Sequence, residues 1–368
     1  MGLEDEIQEL EEEIAETPYN KATEQHIGRL KAKLADLRDQ LADQESGSGG
    51  GGGYGVPRHG DATVAFVGFP SVGKSTLLNA MTNAESAVGS YEFTTLEVVP
   101  GMLDHEKTSI QLLDVPGLIQ GAAGGAGGGR EVIAVLRNAD LLVFLIDVFE
   151  PEQYALLRDE LEAKGVRLDS RPPKVRIDRR DRGAIDVRKD GDVSLDDETI
   201  IETCRQHGII NARIVIREDV SIDELNDAIL DNRVYLDSLV AVNKIDLADE
   251  ATLDRTRDAL RDEGVESAVG ISAEEELGLD VLKERIWGGL DLTRVYMRPQ
   301  GGDPDYEEPM VFRETPTVRD VAERIHDEVE QRFRFGKVWG PSAEHEGQQV
   351  GLDHELEDED VLSVIFRR

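Results

Sequence analysis

The chain has a single cysteine, Cys204, in 368 residues, which excludes a disulfide framework and a thiolate zinc site. It has no run of 18 apolar residues, so no segment reads as a membrane-spanning helix. Met1-Gly2-Leu3-Glu4-Asp5 lacks the basic start of a signal peptide, and the expected location is the cytoplasm. Basic residues are outnumbered: 41 Lys plus Arg stand against 77 Asp plus Glu, a formal net charge of -36. The excess is spread along the chain, and a uniformly acidic surface opposes non-specific nucleic-acid binding at low salt. It reads as adaptation to a salt-rich cytoplasm such as a halophile's, where repulsion is screened within a few ångströms, and not as the imprint of a cationic substrate. Membrane and DNA are not expected partners, and the chain is expected to be monomeric.

What is present is led by Gly68-Phe69-Pro70-Ser71-Val72-Gly73-Lys74-Ser75-Thr76. The apolar run Thr63 to Val67 leads into it and Leu77-Leu78-Asn79-Ala80 leads out, which predicts strand, loop and helix. A G-x-x-x-x-G-K-S loop in that setting cradles phosphate, because glycines let the backbone close around the anion with its N–H groups directed inward at a helix N-terminus. Lys74 is expected to neutralise the β- and γ-phosphates, and the Ser75 hydroxyl to take one Mg²⁺ position. A glycine-rich turn that merely contains Lys-Ser is the plainer reading, and the flanking strand and helix count against it.

That loop alone specifies neither the base nor hydrolysis. Asp114-Val115-Pro116-Gly117 follows the apolar strand Ile110 to Leu113, so Asp114 can hold the Mg²⁺ shell through water while the Gly117 N–H reaches the γ-phosphate. Loss of that phosphate would release the next loop, Gly121-Ala122-Ala123-Gly124-Gly125-Ala126-Gly127-Gly128-Gly129, which is rich enough in glycine to switch between order and disorder. A plain flexible loop is the alternative. Asn243-Lys244-Ile245-Asp246 ends the apolar run Leu239 to Val242. A carboxylate there accepts the N1–H and N2–H of guanine, which adenine does not offer, and a buried Asp246 left unpaired by adenine would discriminate strongly. Ser272-Ala273, after Val269 to Ile271, fits a backbone contact to the guanine O6. Thr94-Thr95 lies where a threonine can close over Mg²⁺ and the γ-phosphate, with Thr95 favoured over Thr94.

Around these motifs the chain alternates strand and helix signals, as an α/β fold with a mostly parallel sheet requires. Leu3, Ile7, Leu10 and Ile14, then Ile27, Leu30, Leu34, Leu37 and Leu41, recur at helical spacing on either side of Thr17-Pro18-Tyr19-Asn20 and predict a helical hairpin. It either docks RNA or a partner, as the basic residues of its second helix suggest, or packs on its own protein. A flexible Gly/Ser linker follows at 46–60. Val98 to Leu103 and Ser109 to Leu113 are expected to pair across the turn 104–107, and Leu141 to Ile146 to form a fully buried strand. Between a helix at Glu152 to Lys164 and the strand at Leu239 lie about seventy residues, more than a minimal nucleotide-binding sheet needs. Val175 to Ile177 and Ala184 to Val187 suggest a short hairpin, Asp196 to His207 a helix, Ala212 to Ile216 a strand and Ile222 to Leu230 a helix. The arginines Arg176, Arg179, Arg180, Arg182 and Arg188 are interleaved with aspartates and read as a solvated face rather than an RNA contact. From Leu292 onward, Met310 to Phe312, a helix at Thr317 to Glu330, and strands at Arg334 to Trp339 and Val361 to Phe366 predict a small β-rich domain. The alternation Arg332-Phe333-Arg334-Phe335 suits one packed and one wet strand face better than a stacking surface for single-stranded RNA.

Taken together, the set resembles the developmentally regulated GTP-binding family within the Obg-like GTPases. The resemblance is carried by Asn20-Lys21-Ala22-Thr23, Leu30 to Leu34, Gly68 to Thr76, Phe93-Thr94-Thr95-Leu96, Pro100-Gly101, Asp114 to Leu118, Trp339-Gly340 and Asp353 to Val361, almost end to end. It implies an N-terminal helical hairpin (1–45), a P-loop GTPase domain in two parts (61–166 and 237–291), a ribosomal-protein-like insert (167–236) and a C-terminal TGS domain of β-grasp type (292–368). It also implies GTP or GDP as ligand, association with ribosomes, ribosomal RNA or tRNA, and the possibility of a dedicated partner protein; the charge suggests a halophilic archaeon as source. The acidic surface departs from a typical RNA-contacting member.

Many small GTPases carry a glutamine after the D-x-x-G glycine to orient the attacking water; here the residue is Leu118. The expected activity is slow, Mg²⁺-dependent hydrolysis of GTP to GDP and phosphate, with Lys74, Thr95 and the Gly117 N–H as the catalytic groups. Ser75, Thr95 and Asp114 are the expected metal set, with a K⁺ ion beside Ser71 as a candidate aid and the ribosome as accelerator. The alternatives are a GTP-dependent scaffold or ribosome-assembly factor in which hydrolysis is incidental and, ranked well below, an ATP-driven enzyme.

Overall fold

The computed structural model describes residues 3–18, 23–45, 58–82, 99–115, 134–325 and 332–366. Helices α1 (Leu3–Glu16) and α2 (Glu24–Glu45) precede β1 (Ala62–Val67), α3 (Lys74–Met81), β2 (Val99–His105), β3 (Thr108–Asp114) and β4 (Leu141–Asp147). Next come α4 (Gln153–Ala163), β5 (Val166–Leu168), β6 (Val175–Arg179), β7 (Asp186–Lys189), α5 (Asp197–Gln206), β8 (Ala212–Ile216) and α6 (Ile222–Leu230). The chain continues through β9 (Val234–Asn243), α7 (Glu250–Asp262), β10 (Ala268–Gly270) and α8 (Leu279–Leu290). It finishes with β11 (Thr293–Met297), β12 (Asp305–Phe312), α9 (Val318–Ile325), β13 (Phe333–Trp339), β14 (Gln348–Val350) and β15 (Asp360–Phe366). Two compact units result, one of residues 1–55, 117–137 and 155–237, the other of residues 56–116, 138–154 and 238–368.

The second unit is built on strands in the order β10-β9-β4-β1-β3-β2. β1 runs parallel to β3 and β4 and β10 parallel to β9, while the edge strand β2 is antiparallel to its neighbour β3. β4 is buried along nearly its whole length, which is why its sequence Leu-Leu-Val-Phe-Leu-Ile is apolar without alternation. Leu77, Leu78 and Met81 of α3 and Leu282 and Ile286 of α8 pack on Val64, Phe66, Leu112, Val143 and Leu145. The ends of β1, β3, β4 and β9 lead to Gly68, Asp114, Asp147 and Asn243. In an open parallel sheet such carboxyl ends are where ligands bind.

The same unit carries a five-stranded sheet in the order β12-β11-β15-β13-β14, with β11 parallel to β15. Val318 and Val321 of α9 cover Val295, Phe312, Val338 and Leu362. Phe333 packs against that core while Arg334 is exposed, as one packed and one wet face requires.

In the first unit β6, β8 and β7 form a sheet in that order under α5 and α6. The expected hairpin between Val175 to Ile177 and Ala184 to Val187 is therefore absent: β8 lies between its two strands, antiparallel to β6 and parallel to β7. The physical reason is burial. Ala212, Ile214 and Ile216 are wholly covered and need partners on both sides, whereas β6 and β7 carry Arg176–Asp178 and Arg188–Asp186 ion pairs that suit edges. α1 and α2 close on each other through Leu10, Leu34 and Leu37. The hairpin packs on the insert: the α2 residue Lys31 pairs with Asp223 at 2.5 Å, and Asp36 meets the Nδ1 of the buried His207 at 2.9 Å. β9 is longer than expected because its first residues pair with β5, Val166 opposite Val234.

Candidate nucleotide site

β1 ends at Val67, and the loop that follows is shaped by two close approaches. A Cβ on Gly68 would lie 2.5 Å from the Leu145 carbonyl oxygen and 2.9 Å from Val72 Cγ1. Gly73 has φ 102°, and a Cβ there would lie 2.5 Å from Asn243 Nδ2. Ser71 also occupies the left-handed region, at φ 63°. These turns deliver Lys74 to the first position of α3, with Gly73 as N-cap, so the helix N-terminus opens toward the loop. Pro70, Ser75 and Thr76 are exposed and Val72 is buried.

Lys74 Nζ donates to the carbonyls of Gly68 (2.8 Å) and Phe69 (3.2 Å), bridging its own loop. Burial pushes its pKa down, and the neighbouring Asp114 carboxylate pulls the other way. Ser75 Oγ donates to Asp114 Oδ2 at 3.1 Å, while the buried Asp114 Oδ1 has no hydrogen-bond partner among the described residues. A hydroxyl beside an orphaned, buried carboxylate oxygen is a hard-oxygen donor pair of the kind Mg²⁺ takes, so these residues fit that ion.

The base-side residues meet the phosphate loop through one side chain. Asn243, buried at the end of β9, donates from Nδ2 to the Val72 carbonyl at 2.8 Å and accepts from the Ala273 N–H at Oδ1 at 2.9 Å. The Ala273 N–H, expected to face the guanine O6, is thus engaged by Asn243 in this structure. Ser272 is buried and its Oγ accepts from the Glu275 N–H at 3.1 Å. Lys244, at φ 67°, is held by Asp147 Oδ2 at 2.6 Å. Asp246 sits on the single turn Ile245–Leu247 and is exposed, not buried as expected, because that turn leaves the end of β9 toward solvent.

Sequence reasoning therefore placed Gly68 to Thr76, Asp114, Asn243, Lys244, Asp246, Ser272 and Ala273 on one end of the sheet. It missed Asp147, whose only signal was its position as the last residue of a buried strand. Thr94, Thr95, Gly117, Leu118 and the loop 121–129 lie outside the described residues.

Three family models account for most of the chain. One described as "50S ribosome-binding GTPase" matches residues 63–177, one described as the "C-terminal region of MMR_HSR1 domain" matches 182–292, and "TGS domain" matches 293–366. An uncharacterised GTP-binding protein of Halobacterium salinarum is 56% identical over 100% of both chains. Developmentally-regulated GTP-binding protein 2 of Homo sapiens is 41% identical over 99% of this chain and 100% of its own. The solved YchF GTPase of Schizosaccharomyces pombe shares the fold at a TM-score of 0.50 and 15% identity, over 84% of this chain and 98% of that one. With this identity sustained from end to end, the chain belongs to the developmentally regulated GTP-binding proteins and joins a P-loop GTPase domain to a C-terminal TGS domain.

Proposed function

We propose that the chain is a slow, Mg²⁺-dependent GTP-hydrolysing switch that acts with ribosomes in the cytoplasm of a salt-loving cell. The observation that carries this reading is the Asn243 amide, which ties the phosphate loop at Val72 to the base-side loop at Ala273. Because both bonds are buried, the end of β9 that leads to Asp246 is tied to the triphosphate cradle before any nucleotide arrives. A bound guanine covers Asp246 and creates the desolvation that makes an unpaired carboxylate oxygen expensive, so discrimination against adenine arises on binding. Lys74 exchanges its two carbonyl acceptors for phosphate oxygens. Ser75 and Asp114, with Thr95, would hold Mg²⁺, which would supply positive charge for the phosphates when bound. The Gly117 N–H donates to the γ-phosphate. Leu118 offers no acceptor for the attacking water, which is why intrinsic turnover is slow and acceleration comes from the ribosome, with K⁺ beside Ser71 as a second aid.

Support for the ribosomal role is the match of residues 63–177 to the family described as "50S ribosome-binding GTPase". Asp246→Asn tests the base assignment: it should weaken GTP and admit XTP, whose C2 carbonyl accepts from an asparagine amide. Unchanged GTP affinity would overturn it. Co-sedimentation with ribosomes in high KCl, comparing a GTP analogue with GDP, tests the partner, and equal recovery in both states would remove the switch. Leu118 also favours a second reading, a GTP-dependent assembly scaffold, which phosphate release unaffected by ribosomes would support. Equal turnover in KCl and NaCl at one ionic strength would remove K⁺.

A further inference from the structure

The β2–β3 hairpin has its two ends in different places. Its open end holds Asp114, the Mg²⁺-side carboxylate, paired across the ladder with Val99. Its closed end is the two-residue turn Glu106-Lys107, with both residues left-handed at φ 49° and 61°, the geometry of a tight primed turn. β3 spans seven residues, about 20 Å of extended chain. It is buried between β1 and β2, so the hairpin moves as one piece or not at all.

The TGS domain grips the closed end. Arg294 of β11, 7% exposed at its side chain, spends all five of its N–H donors. Nε and Nη2 take Asp358, Nη2 also takes Glu359, and Nη1 takes both the carbonyl (3.1 Å) and Oε2 (3.0 Å) of Glu106. Its guanidinium lies 4.9 Å from the ring centroid of Trp287. Lys107 Nζ reaches back to the Tyr306 carbonyl at 2.6 Å and sits 5.5 Å from the ring centroid of Tyr296. A second grip reaches the root of β3: Arg313 donates to the Asp61 carbonyl at 2.9 Å and to Asp140 Oδ1 at 2.8 Å. Asp61 in turn brackets Ser109, donating to its carbonyl at 2.7 Å and accepting its N–H at Oδ2 at 2.9 Å.

We propose that the TGS domain positions Asp114 through the β2–β3 hairpin, so that its seating on the turn and the nucleotide state are thermodynamically coupled. The inference rests on the guanine-nucleotide switch reading. Arg294 and Lys107 are positioning residues, because neither approaches the nucleotide site; they set where β3 ends. A ligand that binds differently to two placements of Asp114 must then shift the TGS contact, and the TGS contact must shift ligand preference by the same factor.

The test uses full-length protein carrying Trp339→Phe, which leaves Trp287 under Arg294 as the sole tryptophan. Its emission is recorded with GDP and with a non-hydrolysable GTP analogue, and both affinities are measured with fluorescent nucleotides for the parent, Lys107→Met and Glu106→Gln. Coupling predicts that Trp287 emission differs between the nucleotides in the parent and that the difference fades in both variants. It also predicts a change of about fivefold or more in the ratio of the two affinities. A merely structural clamp would lower the melting temperature and leave that ratio alone, so a ratio within about twofold of the parent's overturns the proposal. Failure of the parent to bind either nucleotide overturns the guanine reading itself and this inference with it; binding with an unmoved ratio overturns the coupling alone.

Discussion

Gly68 shows how little freedom the site leaves at a single position. Its missing Cβ faces the Leu145 carbonyl of the adjoining strand, an atom fixed by the sheet. Gly68→Ala should therefore reduce nucleotide affinity severely in a titration with labelled GDP, although alanine is an otherwise mild replacement. Asn243→Ala strips partners from the Ala273 N–H and the Val72 carbonyl together. Each unmade buried bond costs about 1–3 kcal/mol, so the variant should lose several kcal/mol in a urea melt as well as its nucleotide. Lys74→Ala should lose the nucleotide in the same GDP titration, since it removes the cation that now bridges the Gly68 and Phe69 carbonyls. Acid probes a different residue. Burial raises the pKa of Asp358, but hydrogen bonds from Arg294 and its charge outweigh this and hold the carboxyl below its ordinary 3.8. A carboxylate depressed in the folded state stabilises fully above its unfolded pKa, and that contribution is lost as pH falls through the folded value. Asp358→Asn should accordingly flatten the acid limb of a melting-temperature profile while lowering its neutral plateau. At this scale the motif residues were legible because their chemistry is local, as with Lys74 and Ser75. The exposure of Asp246 was not, since burial depends on where a turn leaves the sheet.

Among elements, the ones that could be read from the sequence are those whose own period declares them. β4 is a continuous apolar run, α6 begins at a Ser-x-x-Glu capping box, and β8 alternates buried and half-buried residues. Ser221→Ala breaks that box, in which Ser221 Oγ accepts from the Glu224 N–H and Glu224 accepts from the Ser221 N–H. It should cost about 1 kcal/mol, visible as a lower urea midpoint. The three-residue strands β5, β10 and β14 are too short to show a period, and exist because a longer neighbour offers them a ladder. The false hairpin of the insert has the same origin: Val175 to Ile177 and Ala184 to Val187 look like partners only until the more apolar β8 claims both.

For the whole molecule the dominant quantity is the net charge of -36. Many of the ion pairs, such as Arg257–Asp254 and Arg261–Asp258, join exposed groups and contribute little to stability. Unpaired acids repel over about 10 Å at 0.1 M salt and about 3 Å at 1 M. The melting temperature should therefore climb as KCl is raised across that interval, and a flat response would show that repulsion does not limit stability. Among the described residues no helix is long and apolar enough to cross a membrane.

Val166, just after α4, lies opposite Val234, where β9 starts, so the roughly seventy residues between them leave and return at neighbouring points. Whatever is strung between two points already held side by side makes almost no demand on the strands that hold them. That makes the position a natural socket: a lineage can lengthen, shorten or exchange the module there without re-solving the nucleotide site, and an engineer could graft a foreign domain at the same place.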